Sequence, residues 1–257
     1  GDEADIFGTM PANDVALVAH WTINEYTMSF NSDGGTAVES RIYAYGAQTE
    51  APAAPTKEGY TFAGWRPSVG VMGTADATFE AVFTAAGDTA YTVNTYVMGT
   101  DGVYGEPTSD TLTGTTGSTA TFVPETREGF TFDNEKSVLS GEIAADGSLV
   151  LKVFYSRNQY TLTAEGVAHT FYYGAAVSVA DPVKEHYTFA GWEPELPETM
   201  PAENITLDAT LTKNSYFVKY YLFEGDTEPY KEFTVYYGDV IPVPDEPEKP
   251  GYQFQGW

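Results

Sequence analysis

Gly59-Tyr60-Thr61-Phe62-Ala63-Gly64-Trp65 returns as His186-Tyr187-Thr188-Phe189-Ala190-Gly191-Trp192, and again as Gly251-Tyr252-Gln253-Phe254-Gln255-Gly256-Trp257. Recurrence of this fidelity marks an internal repeat, and a repeat decides the architecture before any single element does. Upstream of each copy an aromatic stretch ends in Tyr-Gly, at Tyr45-Gly46, Tyr173-Gly174 and Tyr237-Gly238, and the interval from that Gly to the Trp is constant to within one residue. Downstream, Met200-Pro201-Ala202 leads into residues 205–211, Met10-Pro11-Ala12 into 15–21, and a degenerate Met72-Gly73-Thr74 into 77–83. These closing segments alternate apolar and polar residues imperfectly, as half-buried strands do.

A third landmark opens each unit: Tyr26-Thr27-Met28, Tyr91-Thr92-Val93, Tyr160-Thr161-Leu162 and Tyr216-Phe217-Val218. The landmarks divide the chain into the closing part of a preceding repeat at 1–21 and four units, at 26–83, 91–155, 160–211 and 216–257, the last without its closing strand. The second unit departs from the pattern. It keeps Gly129-Phe130-Thr131-Phe132 but has Asp133-Asn134 where the others have Gly-Trp, and it closes through Asp146-Gly147-Ser148 into 149–155.

Composition agrees with strands and turns. The 257 residues include 19 Tyr, 15 Phe, 25 Gly and 15 Pro, and aromatic residues favour strands while Gly and Pro favour turns. The fold class is therefore mainly β, as tandem small modules. The formal net charge of −25 repels phosphates and anionic lipid headgroups, which argues against nucleic-acid partners. An acidic surface keeps an exposed rod soluble; calcium binding is the alternative, but no loop has the alternating Asp/Asn spacing of a calcium site. The chain has no Cys, which excludes disulfides, thiolate metal sites and a cysteine nucleophile. No apolar run approaches the ~18 residues that span a bilayer, and no membrane insertion is expected.

The Gly-Tyr-Thr-Phe-x-Gly-Trp core, the Met-Pro-Ala turn and the Asn31-Ser32-Asp33-Gly34-Gly35 turn after the first opener resemble the Listeria–Bacteroides repeat family, which includes the B repeats of internalin-type proteins. The second unit is similar to a mucin-binding-protein (MucBP) repeat, through Thr111 to Gly117 and the Ile143-Ala144-Ala145-Asp146-Gly147-Ser148-Leu149 run. The resemblance implies a β-grasp-like module, with strands around one short helix or helical turn. It also implies an extracellular, cell-wall-associated protein of a Gram-positive bacterium acting as stalk, spacer or adhesin.

A module of this size buries little apolar surface, so a few large side chains must dominate its core. The expected anchors are Phe62 with Trp65, Phe189 with Trp192, Phe254 with Trp257, and Phe130 with Phe132 in the unit that lacks the Trp. The Gly before each Trp is expected to serve a turn that a Cβ would strain. Three of the four joints between units are too short and too poor in Gly and Pro to be free hinges; only residues 84–90 look loose. An elongated, semi-rigid rod follows, with its best bend there.

No chemistry stands out. His20, His169 and His186 fall at non-equivalent places without metal-ligand spacing, and there is no nucleophile elbow, phosphate loop or dinucleotide fingerprint. No catalytic, cofactor-binding or metal residue is nominated, and the chain is not expected to be an enzyme. Leu196-Pro197-Glu198-Thr199-Met200 resembles a sortase signal but ends in Met inside a unit, and reads better as a loop. Three functions remain: a stalk and adhesion region, repeats that bind host glycoprotein or glycan through irregular aromatics such as Tyr43, Tyr96, Tyr104, Tyr172, Tyr221 and Tyr230, and an accessory region of a secreted carbohydrate-active enzyme. The open last unit is expected to reflect a longer protein cut at an equivalent point of the repeat; the alternative is self-association by strand exchange with 15–21 of another copy.

Overall fold

A computed structural model of the chain describes residues 9, 12–14 and 16–257. Every regular element among them is a strand. The chain divides into two compact units. One holds the residues up to Thr92 with Thr111–Thr121 and Ser140–Val150; the other holds Val93–Asp110, Phe122–Leu139 and Leu151–Trp257.

In the first unit β1 (Glu25–Asn31), β2 (Arg41–Ala44), β3 (Tyr60–Arg66) and β4 (Ala77–Ala85) form a sheet of order β2-β1-β4-β3. The pairs β1–β2 and β3–β4 are antiparallel, and the central pair β1–β4 is parallel, with Met28 opposite Ala77 and Asn31 opposite Glu80. The polar and apolar alternation of β4 puts Phe79 and Ala81 inside, and Met28 and Met72 are buried as well. This is the period-2 pattern that a one-sided core requires.

The next strands are β5 (Thr89–Val97), β6 (Thr108–Gly114), β7 (Thr119–Thr121), β8 (Phe130–Phe132), β9 (Ser140–Glu142) and β10 (Val150–Arg157). They build a sheet of order β6-β5-β10-β8 and a two-stranded ribbon β7-β9. Thr92 donates to Leu149 O and Met98 to Tyr155 O, at 2.9 and 3.0 Å. Both partners advance by the same step, so β5 and β10 run parallel.

Within the second unit β11 (Gln159–Ala164), β12 (Val167–Tyr172), β13 (Tyr187–Glu193) and β14 (Ile205–Lys213) repeat the first sheet in the order β12-β11-β14-β13, again with a parallel central pair. Leu162, Ala164, Met200 and Leu207 are its buried centre, ringed by Tyr160, Phe171, Val177, Trp192 and others. Each fully buried aliphatic side chain contributes about 1.5–3 kcal/mol. β15 (Ser215–Tyr220) and β16 (Lys231–Tyr236) form an antiparallel pair.

Several expectations need correction. No helix occurs among the described residues. The crossovers from β2 to β3 and from β12 to β13 run as irregular chain, because Pro52, Pro55 and Pro182 lack the N–H a helix needs. They are pinned instead by backbone bonds: Gly46 to Met72 O and Met72 to Ala47 O, matched by Gly174 to Met200 O and Met200 to Ala175 O. Residues 16–21, read as a strand, form no ladder; Leu17 and Trp21 are 69% and 91% exposed, and no partner strand faces them among the described residues. Val15 lies outside the described residues, as do Met10 and Pro11. The third motif copy, 251–257, lies in no strand, unlike the copies in β3 and β13. The Gly before Trp65 and Trp192 serves a bulge rather than a turn: Gly64 and Gly191 adopt φ of +140° and +139° at register shifts inside β3 and β13, a region essentially restricted to glycine. Where Asp133-Asn134 replaces Gly-Trp, β8 stops after three residues.

Candidate functional site at the repeat joints

The predicted anchor rings form three matching pairs. Phe62–Trp65, Phe189–Trp192 and Phe254–Trp257 have centroids 5.4, 5.2 and 5.3 Å apart at interplanar angles of 65°, 63° and 62°. Phe130 instead meets Tyr173 edge-on at 5.9 Å, and Phe132 meets Tyr155 at 6.1 Å. These Phe residues, Trp65 and Trp192 are half-buried, and Trp257, packed on Tyr220 and Tyr230, is 43% exposed. The largest fully buried side chains are Met28, Leu151, Leu162, Met200 and Leu207. The rings thus form an outer tier over an aliphatic centre. The Met of the Met-Pro-Ala landmark was the signal for that centre, since the same Met closes the crossover by two backbone bonds.

The joints carry the recurrent polar geometry. Only Asn158 separates β10 from β11, and only Asn214 separates β14 from β15. Asn158 donates its N–H to Gly129 O at 2.9 Å and accepts the Tyr173 N–H at 2.9 Å, while its Oδ1 accepts the Thr131 hydroxyl at 2.7 Å. Asn214 repeats each contact with His186, Tyr237 and Thr188, at 2.9, 2.9 and 2.6 Å. Asn24 accepts the Tyr45 N–H in the same way. One residue therefore ties the strand behind it to the Tyr-Gly turn ahead of it. The sequence signal was an Asn two residues before each of the openers Tyr26, Tyr160 and Tyr216.

A second joint element is the left-handed residue before the aromatic strand. Gly129 has φ +74° and lies against the Tyr173 ring; His186, with φ +66°, stacks on Tyr237 at 4.1 Å and bonds the Tyr216 hydroxyl at 3.0 Å. Gly59, with φ +72°, lies against the Ala145 backbone. Arg157 reinforces its joint, donating to Met98 O and Tyr173 O with its guanidinium 4.6 Å from the Phe130 ring. Lys213 reaches Asp239 at 2.7 Å, and this hydrogen bond raises the lysine above its ordinary pKa. Residues 84–90, expected to be loose, are mostly strand. Ala86 donates to Gly59 O, Thr116 donates to Ala86 O, and the buried Thr89 and Thr116 hydroxyls lie 2.6 Å apart.

Four of the 12 basic residues hold one equivalent place, three positions before the first aromatic residue of the motif. Lys57, Lys184 and Lys249 sit 4.9, 4.5 and 4.3 Å from the rings of Tyr60, Tyr187 and Tyr252, and Arg127 lies 4.6 Å from Tyr155. Each such contact contributes about 0.5–1 kcal/mol at an exposed site. Of the irregular tyrosines, Tyr96 stacks on Phe154 and Tyr104 bonds Ser156, while Tyr221 and Tyr230 are exposed. Tyr221, Phe223, Lys249, Tyr252 and Trp257 line an open groove of about 560 Å³. His20, His169 and His186 are not brought together, and no group of three or more His, Asp or Glu converges among the described residues. No helix there is long and apolar enough to cross a membrane. The Leu196–Met200 loop is part of the fold: Thr199 bridges Ala176, and Met200 is buried.

The Listeria-Bacteroides repeat domain model matches residues 26–90, 152–210 and 216–257, well over half of the chain. The chain belongs to the Listeria-Bacteroides repeat family. The matched repeats cover most of the sheets β1–β4 and β11–β14 and of the pair β15–β16, and the unmatched stretch holds most of β5 and all of β6 to β9. Two proteins of Evansella cellulosilytica, whose names describe a membrane protein and a Gly-rich membrane protein, are each 27% identical over 95% and 97% of the chain. The chain spans only 40% and 31% of their lengths. Internalin H of Listeria monocytogenes is 48% identical over 56 residues, 22% of the chain and 10% of that protein.

Proposed function

We propose that these Listeria-Bacteroides repeats form the semi-rigid stalk or spacer and adhesion region of a bacterial cell-surface protein, without a catalytic role of their own. The observation that carries this reading is the one-residue joint, in which Asn158 and Asn214 are bonded both to the repeat behind and to the repeat ahead. A joint with its N–H, C=O and side chain all engaged has little freedom left to act as a flexible linker. The names of the Evansella and Listeria relatives favour the cell envelope. The strand order with a parallel central pair supports a β-grasp-like module, here with a Pro-bearing crossover in place of the helix. Residues 91–155 are taken as a MucBP-like unit among repeats bounded as the landmarks bound them.

Spin labels at Val183→Cys and Val240→Cys test the joint at Asn214, since both sites are almost fully exposed and the chain has no other Cys. A narrow interspin distance distribution is expected, broadened by Asn214→Gly; a broad distribution in the otherwise native chain refutes the semi-rigid stalk. A second reading, in which the repeats bind host glycoprotein or glycan, is favoured by the groove of Tyr221, Phe223, Tyr252 and Trp257. Aromatic faces flanked by Glu248, Gln253 and Gln255 suit sugar stacking with polar anchoring. A glycan and mucin binding screen, with Tyr252→Ala as control, tests it.

A further inference from the structure

We propose that each complete sheet is a shear clamp that resists force applied along the chain. It goes beyond the stalk reading, on which its biological use rests. The first and last strands of a repeat are neighbours in the sheet and run parallel: β1 with β4, β11 with β14, and β5 with β10. The chain enters at the N-terminal end of the first and leaves at the C-terminal end of the last. Tension on the chain therefore pulls this pair in opposite directions along the strand axes, across hydrogen bonds that must yield together. A pair loaded from one end would instead lose its bonds one at a time.

Side chains extend the clamp beyond the ladder. The paired residues in the third repeat run from Leu162 opposite Ile205 to Ala164 opposite Leu207. Before them, Thr161 N–H donates to Asn204 Oδ1 at 2.8 Å. Beyond them, Glu165 N–H donates to Leu207 O at 3.2 Å, and Ala209 N–H donates to Glu165 Oε1 at 2.6 Å. Thr27 N–H donates to Asp76 Oδ1 at 2.7 Å at the equivalent place in the first repeat. Since β11 follows β10 after one residue, and β15 follows β14 likewise, the clamps stand in series and each bears the full tension.

The test is single-molecule force spectroscopy on the whole chain, with cysteine handles in two geometries on one sheet. Handles at Gln159→Cys and Lys213→Cys load β11 and β14 in shear; handles at Gln159→Cys and Glu203→Cys peel the same pair from one end. All three sites are exposed. The expected result is a several-fold higher rupture force in shear, lowered by Glu165→Ala in that geometry alone. Circular dichroism of each variant shows that it is folded before it is pulled. Equal forces in the two geometries, or a shear force indifferent to Glu165→Ala, overturns the proposal. Because both handle pairs load one sheet, a flexible joint at Asn214 would refute the stalk and leave this result standing.

Discussion

Gly129→Ala isolates what the joint between the second and third repeats contributes. Two costs combine there. An L-residue at φ +74° is held in the left-handed region at roughly 1–2 kcal/mol. The new Cβ would also overlap the Tyr173 ring. Displacing that ring from its rotamer costs about 0.5–1.5 kcal/mol, and losing its edge-on contact with Phe130 costs about as much again. The expected destabilisation is therefore about 2–5 kcal/mol. Gly166→Ala is the control in the third repeat, because its φ of +76° is similar and nothing lies near its Cβ position; it should cost only the roughly 1–2 kcal/mol of backbone strain. Repeats can unfold separately, so hydrogen exchange resolved to β8, β10 and β11 under increasing urea is the suitable assay. In a Tyr173→Ala background the cost of Gly129→Ala should fall to that of the control, leaving a coupling of about 1–3 kcal/mol. If Gly129→Ala costs no more than Gly166→Ala in the native background, the packed joint is refuted.

Leu207→Ala should destabilise the β11–β14 sheet by about 2–5 kcal/mol, read by the same exchange experiment, because Leu207 is fully buried at the centre of that core. Gly191→Ala should cost about 1–3 kcal/mol through backbone strain alone, as nothing stands near its Cβ position; a silent substitution would remove the bulge from the account of the motif. Folding raises the Lys213 pKa above its ordinary 10.5 through the bond to Asp239. The stability this provides is fully present below that value and is lost as pH rises through the raised one; Asp239→Asn should abolish the shift in an NMR titration of Lys213. Asp133 behaves oppositely, held below its ordinary 3.8 mainly by the bond from Lys136. Its contribution is present above 3.8 and disappears as pH falls through the lowered value, a dependence that Lys136→Ala should weaken while the backbone bond from residue 136 to Asp133 Oδ1 remains.

The strand openers at Tyr26, Tyr91, Tyr160 and Tyr216 were legible because a half-buried strand writes its period into adjacent residues. The joints were less so. Residues 84–90 looked loose for their Ala and Gly content, yet the partners that hold them, Gly59 and Thr116, are distant in sequence. The Gly-Trp dipeptide was visible, but its bulge became evident only when Trp65 and Trp192 were paired across to Ala81 and Ala209.

Sequence by itself determined that the chain is a β-rich tandem repeat with aromatic strands at fixed intervals, because repetition and alternation are local properties. Tertiary structure alone decided that Met72 and Met200 sit at the centre while the Trp rings lie outside them, that the crossovers form no helix, and that a single Asn joins the second repeat to the third and the third to the fourth. Burial, ladder pairing and backbone hydrogen bonding are settled between segments far apart in the chain, and no local pattern encodes which segments those are.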